Sequence, residues 1–334
     1  MGRAVCGWLS EPSSRRAPVR RSRYGQLLPR ETSAVDVPDT IDFSIIIPTC
    51  DRHAQLSACL DAIADLRYPR SKFEVVVVDD GSQSPVEPVV AASRERVQLT
   101  LLRQPAGGPA LARNRGAAAA RGRFLVFTDD DCMPAPDWLD RLAQRLDGAP
   151  GRIVGGKTVN ALPDNVFSTA SQSLLTYLYD YYSADPDKLW FLASCNLALD
   201  AQGFRSVGGF DPAYPRAAAE DRDLCDRLRA HGYGMTYAPD ALVYHRHALT
   251  LADFWRQHYG YGRGARRFRK VHRERSGQGV RMEPPRFYTG LMCCPFRQGV
   301  RRPVTVATLL LVSQLANAAG FFREWASYAS TTRW

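Results

Sequence analysis

The sequence of 334 residues predicts an α/β protein with a mostly parallel central sheet and helices on both faces. Two short apolar runs rich in β-branched residues, at 43–47 (FSIII) and 73–78 (FEVVVV), are typical of buried strands. Between them, residues 54–66 place apolar side chains at helical spacing. Because parallel strands need a crossover connection, this alternation of strand and helix favours a parallel sheet.

The elements that follow repeat the alternation and then become less regular. Further strands are predicted at 97–102 and 124–127, with a helix over 109–120 between them. In the second half we predict helices over 166–183 and 218–230 and strands within 191–199 and 237–247.

Composition excludes several classes of protein. Hydrophobic residues make up 45% of the chain and charged residues 23%, as in an ordinary globular core, which excludes global disorder and a polytopic membrane protein. The eight cysteines are scattered without a CxxC spacing, so neither a disulfide scaffold nor a paired zinc site is indicated. Reduced cytoplasmic thiols are the simplest interpretation.

The net charge of +10 comes from the two flanks of the sequence. Residues 1–38 carry 7 Arg and 3 acids, and we expect them to form a disordered, Arg-rich tail without the apolar run of a signal peptide. Residues 39–255 are mildly acidic, whereas 256–303 contain 13 basic and 2 acidic residues. A basic flank favours a polyanionic partner. No nucleic-acid motif is present, so a membrane surface is expected rather than nucleic acid.

An uncharged stretch of 20 residues follows this basic flank, at 303–322. As a helix it would be about 30 Å long, the thickness of a bilayer core. The polar side chains within this segment argue against a helix that crosses the bilayer. A helix that lies on the membrane and a helix that is buried in the protein are both possible from the sequence. The expected location is the cytoplasmic face of the cell membrane, as a peripheral or single-pass protein.

Acidic clusters follow two of the predicted strands, at Asp79-Asp80 and at Asp129-Asp130-Asp131. Ligands of open α/β sheets bind beyond the carboxyl ends of the strands, so the clusters are expected to share one cleft. Closely spaced carboxylates repel each other unless a cation compensates, which favours Mg²⁺ or Mn²⁺. The chain has neither GxGxxG after the first strand nor GxxxxGK[ST], so dinucleotide and P-loop chemistry lose support.

Six short motifs occur in an order that resembles the family 2 glycosyltransferases, which have the GT-A fold. They are FSIIIPT (43–49), VVDDGS (77–82), ARNRG (112–116), FTDDD (127–131), GGFD (208–211) and EDRDL (220–224). The resemblance covers about 41–250. It implies a catalytic domain over 39–250, with a nucleotide-sugar half at 41–150 and an acceptor half at 151–250. A basic aromatic extension over 251–302 would lie outside it.

The resemblance also implies roles for individual residues. Asp221 would be the catalytic base, with Glu220 beside it. Asp129 and Asp131 would form the DxD motif that holds the metal, with His245 or His247 as an additional ligand. Residues expected to contact the nucleotide-sugar donor are Pro48, Thr49, Asp51, Asp79, Asp80, Arg113, Asp129 and Asp130.

The chemistry of these residue types is consistent with those roles. Asp221 shares a helical stripe with Leu224 and Leu228, so it should lie near the helix N-terminus, where the helix dipole favours the ionised carboxylate. A base can activate the acceptor hydroxyl, and a bound metal can stabilise the departing diphosphate. One base, one metal and no covalent nucleophile predict a single displacement with inversion. The expected reaction moves a sugar, from a UDP-linked donor, to a glycan or lipid-linked acceptor of surface polysaccharide or glycolipid synthesis.

Two alternatives remain open from the sequence. A sugar-nucleotide pyrophosphorylase would share the α/β arrangement, but such enzymes usually have a Gly-rich basic loop where Pro48-Thr49-Cys50-Asp51 stands. A non-catalytic basic adaptor for membrane or nucleic acid would not need Asp131 or Asp221.

Overall fold

A computed structural model describes residues 40–184, 189–214, 218–280 and 282–331. The predicted Arg-rich tail at 1–38 lies outside these residues.

The first half of the chain contains the predicted strands and helices, together with three elements that were not predicted, at 87–93, 132–134 and 138–146. Its strands are β1 (Phe43–Thr49), β2 (Phe73–Asp80), β3 (Leu99–Gln104), β4 (Phe124–Thr128) and the short β5 (Cys132–Pro134). Its helices are α1 (His53–Ala64), α2 (Glu87–Ser93), α3 (Pro109–Ala119) and α4 (Trp138–Leu146), with a 3₁₀ turn at Arg70–Lys72.

The second half adds three strands and six helices within the described residues. They are β6 (Arg152–Asn160), α5 (Val166–Ser183), β7 (Asn196–Asp200), α6 (Ala201–Ser206), α7 (Glu220–Ala230), β8 (Gly234–His245), α8 (Leu251–Ser276), α9 (Pro285–Arg297) and α10 (Pro303–Thr331). The predicted strand within 191–199 begins only at Asn196, and β6 was not predicted. The uncharged stretch is helical, but α10 continues nine residues beyond the predicted end at 322.

All eight strands of the described chain form one sheet in the order β3-β2-β1-β4-β7-β6-β8-β5. The first four strands of this order are parallel, β7 is antiparallel to both its neighbours, and β5 is antiparallel to β8. Six strands therefore run in one direction, as a mostly parallel sheet requires. The antiparallel β7 and β5 make the sheet mixed.

Helices cover both faces of the sheet, and the strand pleat divides the core between them. Ile45 and Ile47 of β1 pack with α1 and α4 on one face, where Trp138 is fully buried. Ile46 and Phe127 point to the other face, toward α3, α5 and α7. Successive side chains of a strand point to opposite faces of the sheet. A strand that is buried on both faces therefore has a continuous apolar sequence.

The C-terminal helices pack together against the second face. Val306 and Leu310 of α10 belong to the same core cluster as Leu291 of α9. Helices α8 and α10 approach closely, since a Cβ added at Gly262 would lie 1.9 Å from the Asn317 carbonyl oxygen. Glycine is therefore required by contact between the two helix backbones.

We expect Gly262→Ala to destabilise the protein because the added methyl group overlaps backbone that cannot move independently. The loss in the free energy of unfolding should be about 1–3 kcal/mol, measured by urea denaturation. Gly260→Ala is the matched control on the same helix, since no neighbour lies within 4 Å of its added Cβ. It should instead stabilise by about 0.5–1 kcal/mol. Equal effects of the two substitutions would contradict the packing described.

Candidate active site

The carboxyl ends of β1, β2 and β4 bring the predicted site residues to one edge of the sheet. Thr49 lies opposite Asp79 in the β1–β2 register. On its other side, the Thr49 hydroxyl donates to Asp130 Oδ2 at 2.7 Å. The two acidic clusters, separated by about fifty residues of sequence, therefore meet because β1 lies between β2 and β4.

Asp80 holds the loop that precedes α3. Its carboxylate accepts hydrogen bonds from the backbone N–H groups of Gly107 and Gly108, at 2.9 and 2.7 Å, and from the Gln104 side chain. Gly108 has φ of +88°, a conformation that favours glycine. Asp80 thus positions the start of the helix that carries Arg113.

Asp79 and Asp51 hold neighbouring turns in place. Asp79 is fully buried, accepts from the Ser82 backbone N–H at 2.8 Å and faces Arg103. Asp51, at φ of +53°, accepts from the Gln83 N–H at 2.7 Å, while its own N–H donates to the Ser82 hydroxyl. Pro48 is the partly buried residue before Thr49 on β1. Contact of these residues with a donor stays a prediction.

Arg113 connects the acidic segment after β4 with the start of α7. Its buried guanidinium donates to Asp129 Oδ1 at 2.7 Å and to Glu220 Oε1 at 3.0 Å. Burial opposes its charged form, but the charges of Asp129 and Glu220 raise the pKa of Arg113 above its ordinary value. The next residue, Asn114, bonds both the N–H and the carbonyl of Phe210 in the GGFD turn. Helix α3 therefore joins the DxD segment to the start of α7.

Glu220 and Asp221 begin α7 after a residue in the left-handed conformation. Ala219 has φ of +71°, and Glu220 Oε2 accepts from the Ala218 N–H at 2.7 Å. The Asp221 carboxylate is half-buried and accepts from the Arg222 N–H at 2.7 Å. Burial and the Asp221 charge raise the pKa of Glu220 to about 7, and burial also raises the pKa of Asp221. A raised pKa strengthens a carboxylate as a base, which is the property that a general base requires.

Asp131 and His245 meet because β5 pairs with β8. Cys132 lies opposite His245 in that register, and His245 Nε2 is 3.2 Å from Asp131 Oδ1. Burial opposes the imidazolium, but the hydrogen bond that His245 donates to Asp131 raises the pKa of His245 to about 9. Arg52, in the loop after β1, contacts Asp130 at 2.8 Å and Asp131 at 2.6 Å.

These residues fit a divalent metal ion. Potential ligand atoms of Asp131, Cys132 and His245 lie within 4.8 Å of one another, and carboxylate with imidazole suits Mn²⁺. In the metal-free protein, hydrogen bonding to Cys195 and burial hold the pKa of Cys132 well above its ordinary value, so the thiol keeps its proton. The Asp129 carboxylate forms an ion pair with Arg113. Arg52 forms ion pairs with the carboxylates of Asp130 and Asp131.

His247 lies beside this cluster without joining it. Its ring stacks on that of His245, with centroids 4.9 Å apart. Burial and the neighbouring His245 charge lower the pKa of His247 to about 4, which keeps it neutral. The choice of His245 or His247 as a ligand stays a prediction, and the geometry favours His245.

Sequence reasoning missed Arg52, Arg103 and Cys132. A signal for Arg52 was present, because three consecutive acids after β4 require nearby cations and Arg52 follows the adjacent strand β1. Arg103 and Cys132 carry no comparable signal, since their roles depend on strand neighbours that only the folded sheet defines.

Comparison with solved structures identifies the fold class. The mannosyltransferase PcManGT of Pyrobaculum calidifontis superposes with a TM-score of 0.55 at 22% identity, over 87% of this chain and 81% of that chain. TarS of Staphylococcus aureus superposes with a TM-score of 0.51 at 17% identity, over 81% of this chain and 55% of that chain. The predicted GT-A fold is confirmed.

Sequence comparison then identifies the family. The family model described as Glycosyl transferase family 2 matches residues 44–208. The glycosyltransferase AglE of Haloferax volcanii is 27% identical over 226 residues, 66% of this chain and 72% of AglE. The pre-mycofactocin glycosyltransferase of Mycobacterium tuberculosis is 30% identical over 235 residues, 68% of this chain but about half (47%) of that protein. Residues 44–208 therefore form a family 2 glycosyltransferase domain, and the protein is a transferase enzyme.

We expect the buried Glu220 to make stability fall as the pH rises from 4.5 to about 7, the ordinary and folded pKa values of this carboxyl. In this window the folded state keeps a proton that the unfolded state has released, so the slope is negative. Glu220→Gln should flatten the slope in urea unfolding experiments. Glu87→Gln, an exposed acid in the first turn of α2, should keep it. A Glu220→Gln slope equal to that of the wild type would show that the folded state does not retain this proton.

Proposed function

We propose that the protein is a metal-dependent, inverting glycosyltransferase that uses a nucleotide-diphospho-sugar and a hydroxyl acceptor. The observation that carries this proposal is the buried Arg113 bridge. It holds Asp129 of the DxD segment and Glu220 next to the candidate base within reach of one guanidinium. Donor-phosphate and acceptor chemistry would thus occur in one cleft.

The donor class is supported by what the neighbouring structures contain. PcManGT was solved with GDP-Man and Mn²⁺, and residues 1–349 of TarS with UDP-GlcNAc. The latter superposes with a TM-score of 0.50 at 18% identity. We propose a UDP-linked donor for this chain, with Mn²⁺ or Mg²⁺ as the cofactor.

The roles of this chain's residues follow from their contacts. Asp221 would take the proton from the acceptor hydroxyl, because it is half-buried, has a raised pKa and lies at the N-terminus of α7. Arg113 would hold Asp129 and Glu220 in position while charge shifts onto the donor diphosphate. Asp131 and His245, with Asp129, would hold the metal ion, which supplies Lewis-acid stabilisation of the leaving diphosphate. No nucleophilic residue is invoked, so the attack inverts the anomeric carbon.

We propose a glycan or lipid-linked acceptor at the cytoplasmic face of the cell membrane, in surface polysaccharide or glycolipid synthesis. The basic flank at 256–303 supports attraction to anionic lipid. Among the described helices, α10 alone is long and apolar enough to cross a membrane, over Pro303–Ser327. Nucleic acid is not proposed as a partner.

We expect Asp221→Asn to abolish transfer while leaving donor binding intact, because the amide cannot accept the acceptor proton. With water as the acceptor, the rate of UDP release should fall about 100-fold or more. Calorimetry with the same UDP-sugar should give an unchanged Kd. Asp140→Asn, in the first turn of α4, is the matched control and should keep the wild-type rate. UDP release by Asp221→Asn at the wild-type rate would exclude Asp221 as the base.

We expect Asp131→Asn to remove the effect of Mn²⁺ on donor binding, since it deletes one carboxylate ligand. A screen of nucleotide-sugars by calorimetry, with Mn²⁺ and with EDTA, should find tight binding for one donor only when the metal is present. The variant should bind Mn²⁺ about 100-fold more weakly. Cys132→Ser should keep Mn²⁺ binding, because the Cys132 sulfur is not one of the proposed ligands. No donor binding under any condition would overturn the proposed function.

A further inference from the structure

One face of α10 leaves a continuous row of large apolar side chains in solvent. Val304, Leu311, Leu315, Phe322 and Trp325 are each more than half exposed. They recur at intervals of three, four or seven residues, so they lie on one side of the helix. We call these five residues the apolar stripe. A row of this length is more than the scattered surface hydrophobics of an ordinary soluble domain.

The opposite face of α10 is committed to the rest of the domain. Val306, Leu310, Ser313 and Ala316 are buried there. Gly320 lies so close to α8 that an added Cβ would be 2.0 Å from the Tyr259 carbonyl oxygen. A helix that crossed a bilayer would have to leave these contacts. The packing therefore favours a helix that lies along a surface, with the apolar stripe outward.

A cavity of about 690 Å³ lies at the C-terminal end of the stripe, between α8 and α10. Four basic residues line it, together with Phe321 and Trp325. The basic residues are Arg266, Arg269, Lys270 and Arg273. Among the described lining residues, Glu274 is the single acid, and Lys270 neutralises it at 3.2 Å. Trp325 belongs both to this cavity and to the apolar stripe, so the two features are continuous.

Two of the cavity arginines have no acidic partner within the described chain. Arg269 lies with its guanidinium 5.3 Å from the centroid of the Phe321 ring, and no ion pair to a described carboxylate occurs at Arg269 or Arg273. Excess cationic charge at the rim of an apolar surface is complementary to a phosphate headgroup above acyl chains. A second copy of this chain would instead bring the same positive charge to the interface.

Helix α8, which carries the cavity arginines, also packs near the residue after the proposed base: Phe268 stacks on Trp190, with ring centroids 6.1 Å apart. Burial lowers the pKa of Arg222, the residue after Asp221, and the positive charge of Arg269 lowers it further. Arg222 itself is held 4.5 Å above the Trp190 ring centroid.

We propose that the α8–α10 edge docks on an anionic lipid bilayer, with the apolar stripe in the interface and a lipid phosphate in the cavity formed by Arg269, Arg273 and Trp325. This inference deepens the membrane location proposed above and rests on it. Helix α10 then lies on the membrane and does not cross it. Neither feature contains a residue that is proposed above to bind the donor or the metal, so docking and transfer can be tested separately.

The test is cosedimentation of the full chain with vesicles, in the absence of donor. Vesicles of phosphatidylcholine containing about one third phosphatidylglycerol should bind the protein, and pure phosphatidylcholine vesicles should bind it weakly. Arg269→Gln/Arg273→Gln should weaken binding about 30-fold, since each basic residue near the surface contributes about 1 kcal/mol. Leu311→Gln/Leu315→Gln should weaken binding to both kinds of vesicle.

Arg70→Gln/Arg94→Gln is the matched control, because it removes two exposed charges from the nucleotide-sugar half. It should bind vesicles like the wild type. Because both double variants retain residues 1–38, any contribution of that segment to binding is the same in each. Equal binding by both double arginine variants would overturn the proposal. So would resistance of the bound wild-type protein to carbonate extraction, which indicates a spanning helix. Dimerisation that depends on Leu311 and Leu315, without vesicle binding, would assign the stripe to a second copy.

UDP release with water as the acceptor separates this proposal from the proposed function. The Arg269→Gln/Arg273→Gln variant should retain the wild-type rate in solution, since the cavity takes no part in donor hydrolysis. Loss of vesicle binding with retained UDP release supports the docking surface and leaves the catalytic proposal intact. Loss of both would contradict the separation of the two sites.

Discussion

The buried guanidinium of Arg113 is the contact on which the arrangement of the active site depends. It is the shared partner of Asp129, at the end of β4, and of Glu220, at the start of α7. These residues are far apart in sequence, and no strand pairing joins their elements. Taking one partner from a buried ion pair leaves an unpaired charge and typically costs about 3–5 kcal/mol. The bridge therefore links the geometry of the cleft to the stability of the fold.

The cleft gathers more negative charge than a protein interior ordinarily accepts. Asp129, Asp130 and Asp131 follow one another, and Glu220 lies across Arg113 from them. Arg52 and Arg113 compensate part of this charge, and Thr49 and His245 supply further hydrogen bonds. Such a cluster is costly for folding, and in the proposed function it would hold a cation that in turn binds the donor diphosphate. Electrostatic preorganisation of this kind is what transfer from a charged donor requires.

The three C-terminal helices extend the catalytic domain and form a surface of their own. Glycines at the α8–α10 crossing bring the two backbones together, so that α10 uses one face for packing and leaves the other exposed. The same crossing places the cavity arginines of α8 beside the aromatic residues of α10. The family model ends at residue 208, well before these helices begin. In the docking proposal, this region would add membrane attachment to the domain that the family model matches.

Local sequence determined six of the eight strands and five of the ten helices of the described chain, and the identity of the acidic motifs. Continuous apolar runs such as 73–78 specify strands buried on both faces, and DDGS and FTDDD mark where strands end. It also indicated the basic flank and the long apolar helix at its end. Tertiary structure decided which groups meet: the β5–β8 pairing that joins Asp131 to His245, the Arg52 and Arg113 ion pairs, and the exposed face of α10. Secondary structure follows from periodicities within a few residues. Contacts between distant side chains depend on strand order and helix crossings, which no local pattern encodes.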